Sequence, residues 1–139
     1  MFVPKSFLPL CGGILLALTA CATLSQDIPP ELSAEELVQR AQEASDRNRY
    51  GTALLYYEAL LNRYQSSYDW TLTAEYEIAF IHYKQKKYGQ AREELNTLLK
   101  RYDSPEAELM PQQFKRLCSI VLESIDAKEG SRASPPKKR

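Results

Sequence analysis

The sequence predicts an all-α fold: two helical hairpins followed by one terminal helix. Three observations predict it. Ala, Leu, Glu, Lys, Arg and Gln dominate the middle of the 139-residue chain, and Gly is scarce at 5, so little side-chain or backbone entropy opposes helix formation. No stretch alternates β-branched and polar residues as a half-buried strand does. Two blocks also recur at one offset of 38 residues: Tyr50-Gly51-Thr52-Ala53 as Tyr88-Gly89-Gln90-Ala91, and Leu60-Leu61-Asn62-Arg63-Tyr64 as Leu98-Leu99-Lys100-Arg101-Tyr102. The length suits one modest domain. The 18 basic and 18 acidic residues cancel, so no overall field draws the chain toward nucleic acid.

The first element is an address. Residues 1–20 read as a secretory signal peptide: Lys5 is the only charge, and Phe7 to Ala20 is almost wholly apolar. That run is about as long as a signal's apolar core and too short for an ordinary membrane span. It ends Leu18-Thr19-Ala20-Cys21, which resembles the bacterial lipobox. The resemblance implies lipidation of Cys21, which becomes the first residue of a mature chain anchored by its acyl groups. Each buried CH₂ of those groups contributes ~0.8 kcal/mol. Ala22 rather than Asp follows the cysteine. In a two-membrane host with the usual sorting rule, that implies the outer membrane, facing the periplasm. An ordinary cleaved signal and an uncleaved short anchor are the alternatives.

Residues 21–32, with Pro29-Pro30, form the expected tether, and a helical domain is expected over 33–129. Ser33-Ala34-Glu35-Glu36 is a capping box that starts the first helix. Leu37, Ala41 and Ala44 then share one face. The spacing predicts helices over about 34–47, 52–64, 70–86 and 90–102. Pro111 predicts the start of a last helix. Phe114, Leu117, Cys118, Val121, Leu122 and Ile125 give it a complete apolar stripe, and Gly130 is its expected stop. Residues 130–139 are expected to be a disordered basic tail.

Over 34–103 the chain resembles the tetratricopeptide repeat, most closely at Tyr83-Lys84-Gln85-Lys86-Lys87-Tyr88-Gly89-Gln90-Ala91. The resemblance implies paired A and B helices in a right-handed solenoid. Ala41, Ala53, Ala79 and Ala91 fall at the close crossings, and Tyr50 and Tyr88 wedge the corners. Leu60, Leu61, Leu98 and Leu99 seal each B helix against the next repeat. The terminal helix caps the open end. The family period is about 34 residues, so the extra residues here are expected in the loop Gln65–Asp69. Arg-Tyr endings of the B helices are similar to the outer-membrane lipoproteins that assist β-barrel assembly (the BamD-like group). They are also similar to periplasmic repeat proteins that coordinate division.

No glycine-rich phosphate loop, nucleophile elbow or metal pair is present in the sequence. The expectation is a protein that is not an enzyme and takes no cofactor, no metal and no small-molecule substrate. Cys118 and the lone His82 are expected to be structural. The family's groove positions fall on Val38, Gln42 and Ser45 of the first repeat and on Thr73, Tyr76, Phe80 and Tyr83 of the second. These are the expected protein-binding residues, with an envelope protein or peptide segment as partner. The competing expectation is that the last helix covers the aromatics. The charged clamp that some family members use for a peptide C-terminus has no counterpart here. The implied function is a membrane-anchored, periplasm-facing interaction scaffold in outer-membrane protein assembly. The alternative is an envelope, division or peptidoglycan-linked adaptor that regulates a wall enzyme.

Overall fold

The computed structural model describes residues 28–133. The signal segment 1–20, Cys21 and the last six residues lie outside them. Among the described residues the chain is wholly helical. It forms two consecutive hairpins and a C-terminal helix, as expected for a tetratricopeptide-type fold. None of these helices is long and apolar enough to cross a membrane.

The first hairpin pairs α1 (Ala34–Asp46) with α2 (Tyr50–Arg63). The capping box forms: Ser33 Oγ accepts from the Glu36 amide at 3.2 Å, and Glu36 Oε2 accepts from the Ser33 amide at 2.9 Å. The second hairpin pairs α3 (Tyr68–Lys84) with α4 (Tyr88–Arg101). A 3₁₀ turn over Pro105–Leu109 leads to α5 (Gln113–Ala133).

The two corners share one backbone design, 38 residues apart. Asn48 and Lys86 adopt left-handed conformations, φ 56° and 63°. The Asn48 and Arg49 amides donate to Ser45 and Ala44 carbonyls at 2.9 and 2.8 Å. The Lys86 and Lys87 amides donate to Tyr83 and His82 carbonyls, both at 2.9 Å. This is the Schellman closure of a helix end. It occupies so few residues that the B helices start at Tyr50 and Tyr88, two residues earlier than the sequence predicts, and α3 ends at Lys84 rather than residue 86.

The additional residues of the long period are not in a loop. α3 has 17 residues against 13 in α1, so the excess forms one more helical turn at its start. Ser67 makes this possible by capping the Trp70 amide at 3.5 Å. Tyr68 and Trp70 then pack against different core clusters. The last helix also departs from expectation. It runs through Gly130 to Ala133, because Gly130 does not take the left-handed conformation a stop requires. The boundary expected at 129/130 thus falls inside α5.

Two apolar clusters form the interior. Leu37, Ala41 and Ala44 meet Ala53, Tyr57 and Leu60, with Ala74 and Ile81 from α3. Leu72, Tyr76 and Ala79 meet Ala91, Leu95 and Leu98, covered by Phe114, Cys118, Val121 and Ile125. α3 therefore contributes to both clusters, and each wholly buried leucine contributes ~1.5–3 kcal/mol. Arg92 ties α4 to α5 through Asp126 at 2.7 Å and Glu129 at 2.6 Å.

The expected tether is partly docked. Leu32 is buried and Ile28 packs on the first cluster. Arg63 donates to the Pro29 and Ile28 carbonyls, each at 2.8 Å.

Candidate functional site

The helix periodicity brings three sequence-predicted residues to one place. Gln42 and Ser45 on α1 face Phe80 on α3 across a cleft of about 240 Å³ at the seam of the two hairpins. Tyr57 of α2 also lines it, together with Asp46, Glu77 and Lys84, which the motif mapping did not include. Glu77, Phe80 and Lys84 lie three and four residues apart, one above the other on α3.

The polar groups of this cleft are unevenly satisfied. Lys84 Nζ donates to Ser45 Oγ at 3.1 Å and lies 5.3 and 5.9 Å from the Tyr50 and Phe80 ring centroids. Its ammonium is therefore already held. Tyr57 is only 1 % exposed, and its hydroxyl has no hydrogen-bond partner. Among the described residues neither Asp46 nor Glu77 forms an ion pair or hydrogen bond. Burial raises the Glu77 pKa above the ordinary carboxylate value, with Lys84 opposing and Asp46 adding to the rise. Burial also raises the Tyr57 phenol, with Glu77 and Asp46 contributing further, so the phenol stays protonated at neutral pH.

The other mapped positions do not line this cleft. Val38 rests on the first cluster, and the Thr73 hydroxyl donates to the Asp69 carbonyl at 2.7 Å. Tyr76 is 8 % exposed and meets Phe114 of α5 at 5.8 Å between ring centroids. The cap covers it. Phe80 stacks between Tyr76 and Tyr83 at 5.9 and 5.7 Å, and Tyr83 continues to Tyr88 at 5.9 Å. Lys128 of α5 sits 5.9 Å over the Tyr83 ring. The four rings form a ladder whose first rung is sealed under the cap and whose second borders the cleft.

A larger cleft of about 450 Å³ lies among α2, α3 and α4. Arg101 and two of its three carboxylates are already engaged, Glu93 excepted: Arg101 Nη1 contacts both Glu75 oxygens at 2.6 and 2.5 Å, and Glu94 meets His82 Nδ1 at 2.8 Å. It offers a ligand less than the seam does. Among the described residues no three His, Cys, Asp or Glu side chains gather in a way that could hold a metal. Burial pushes the free Cys118 thiol up to about 11, which keeps it protonated and unreactive at neutral pH.

No family model matches the chain, and no solved structure matches it. A protein of Treponema pallidum (strain Nichols), described only as uncharacterized, is 29% identical over 125 residues. The match covers 90% of this chain and 50% of that protein, so the chain spans about half the length of its curated relative.

Proposed function

We propose that the chain is a membrane-tethered protein-interaction module, anchored by lipid on Cys21, facing the periplasm, and working as a scaffold rather than a catalyst. A segment of an envelope protein binds across its A helices. One observation supports this reading above others: Gln42, Ser45 and Phe80, placed apart in sequence, converge on one cleft between the hairpins. The lipobox-like Leu18-Thr19-Ala20-Cys21 supports the anchor. The barrel-assembly role rests on the resemblance of the Arg-Tyr helix endings and is the first client class to test.

The test is photo-crosslinking in intact cells from a probe at exposed Gln42 in the full chain, with fatty-acid labelling alongside. Capture of barrel-assembly components is the expected result. Capture of wall or division enzymes would transfer the module to that client class. A folded, labelled protein that captures nothing would overturn the interaction reading. A Cys21→Ala protein that still labels would overturn the anchor.

A further inference from the structure

We propose that the seam cleft is a receptor for a single basic side chain, Lys or Arg, carried on the partner segment. The inference deepens the interaction-module reading and rests on it.

The cleft is built for a donor. Asp46 and Glu77 bring two carboxylates against one ammonium, and that ammonium is held by Ser45 and by two ring faces rather than by either acid. The Tyr57 hydroxyl is the independent sign of a missing partner, because the side chain lines the cleft while its hydroxyl, buried beside it and unbonded, is costly to keep. A guanidinium or ammonium supplies N–H donors and positive charge to the carboxylates, reaches the phenol oxygen once the side chains around it part, and accepts nothing in return. The Phe80 ring offers an apolar wall for its methylene stem. An anion entering the same space would meet two carboxylates, with the only cation already occupied.

Size points to a side chain. About 240 Å³ is below the ~300–1,000 Å³ of clefts that enclose a whole drug-sized ligand. The attraction comes largely from the partly buried Glu77 carboxylate, whose burial cost Lys84 offsets only in part.

The experiment is an NMR titration of the full chain in detergent micelles, following Tyr57 and Phe80 ring signals. The probes are capped Gly-Lys-Gly, Gly-Arg-Gly and Gly-norleucine-Gly peptides. The basic peptides should shift both rings saturably, and the norleucine peptide should not. Glu77→Gln should weaken binding about thirty-fold or more, as loss of one partner in a desolvated charge pair does. Asp46→Asn, at an exposed position, should weaken it less. Equal shifts from lysine and norleucine, or equal binding by the native chain and Glu77→Gln, would overturn the proposal. The two readings fail separately. Basic peptides that bind while Gln42 crosslinks nothing would leave the receptor and remove the module. A Gln42 crosslink undiminished by Glu77→Gln would do the reverse.

Discussion

The two seams of this molecule occupy equivalent places and are filled in opposite ways. At the first, where α3 packs on the α1–α2 hairpin, Tyr57 is buried with an unbonded hydroxyl beside Glu77. Leu95 is the counterpart of Tyr57 at the 38-residue offset and is wholly buried at the second seam, where α5 packs on α3 and α4. Cys118 is the counterpart of Phe80 at the same offset and is also wholly buried there. Thus one seam is a finished apolar interior, and the other keeps polar groups without partners. A repeat protein need only close its interfaces to be stable, so the unfinished seam is where binding is to be sought.

The largest expected effect tests how alike the hairpins are outside the seams. Leu60 and Leu98 are equivalent and almost fully buried. Replacing either with Ala should cost ~2–5 kcal/mol in denaturant unfolding. A much smaller loss at one of them would show that its hairpin is loosely packed and would break the equivalence.

Two Tyr→Phe changes sharpen the contrast of finished and unfinished polar groups. Tyr102 donates to the Pro111 carbonyl at 2.7 Å, so Tyr102→Phe should cost ~1 kcal/mol. Tyr57→Phe should instead stabilise by about that much, since it removes a buried hydroxyl with no partner. If both changes destabilise equally in unfolding measurements, the Tyr57 hydroxyl is bonded in solution and the seams are alike.

The corners provide a smaller comparison. Asn48 tolerates a positive φ better than Lys86 does. Lys86→Gly should therefore stabilise by ~0.5–1 kcal/mol, and Asn48→Gly by less, in thermal unfolding. Equal gains would mean that the two corners carry the same strain.

The smallest effect concerns pH. Because the folded chain raises the Glu77 pKa, it binds that proton more tightly than the unfolded chain. Ionised Glu77 thus lowers stability at pH above its folded pKa, and the loss is relieved as pH falls into the interval between the folded and unfolded values. Glu77→Gln should raise the melting temperature slightly at neutral pH, with the advantage shrinking toward acid. An advantage that grows on acidification would show that Glu77 is a net stabilising charge.

The helix order was legible because its signals are local: the Ser33 box, the stripe from Phe114 to Ile125, and the 38-residue recurrence. The corners were not, because Lys86 carries no residue-type signal for a left-handed turn. The added turn of α3 was half legible. Ser67 is a good cap, but a loop of polar residues and a capped helix start look alike in sequence. At the seam, Gln42, Ser45 and Phe80 could be placed from the groove positions that the repeat resemblance implies, and the helical period puts Glu77 and Lys84 either side of Phe80. Tyr57 could not be found this way, since lack of a partner is a property of three-dimensional packing.

The Arg63 grip on the Ile28 and Pro29 carbonyls sets a leash. With lipid on Cys21 as proposed, Ile28 lies seven residues along from the anchor, a reach of at most ~25 Å. The module would then search a thin shell next to the bilayer instead of the wider periplasm. Release of Arg63 together with the Ile28 contact would lengthen the free chain to the buried Leu32, eleven residues along from the anchor. If the longer chain is flexible, the effective concentration of the cleft for membrane-embedded clients would fall about two-fold. The docked Ile28–Pro29 segment and the arginine that grips it would thereby set the working distance of the domain without touching its client.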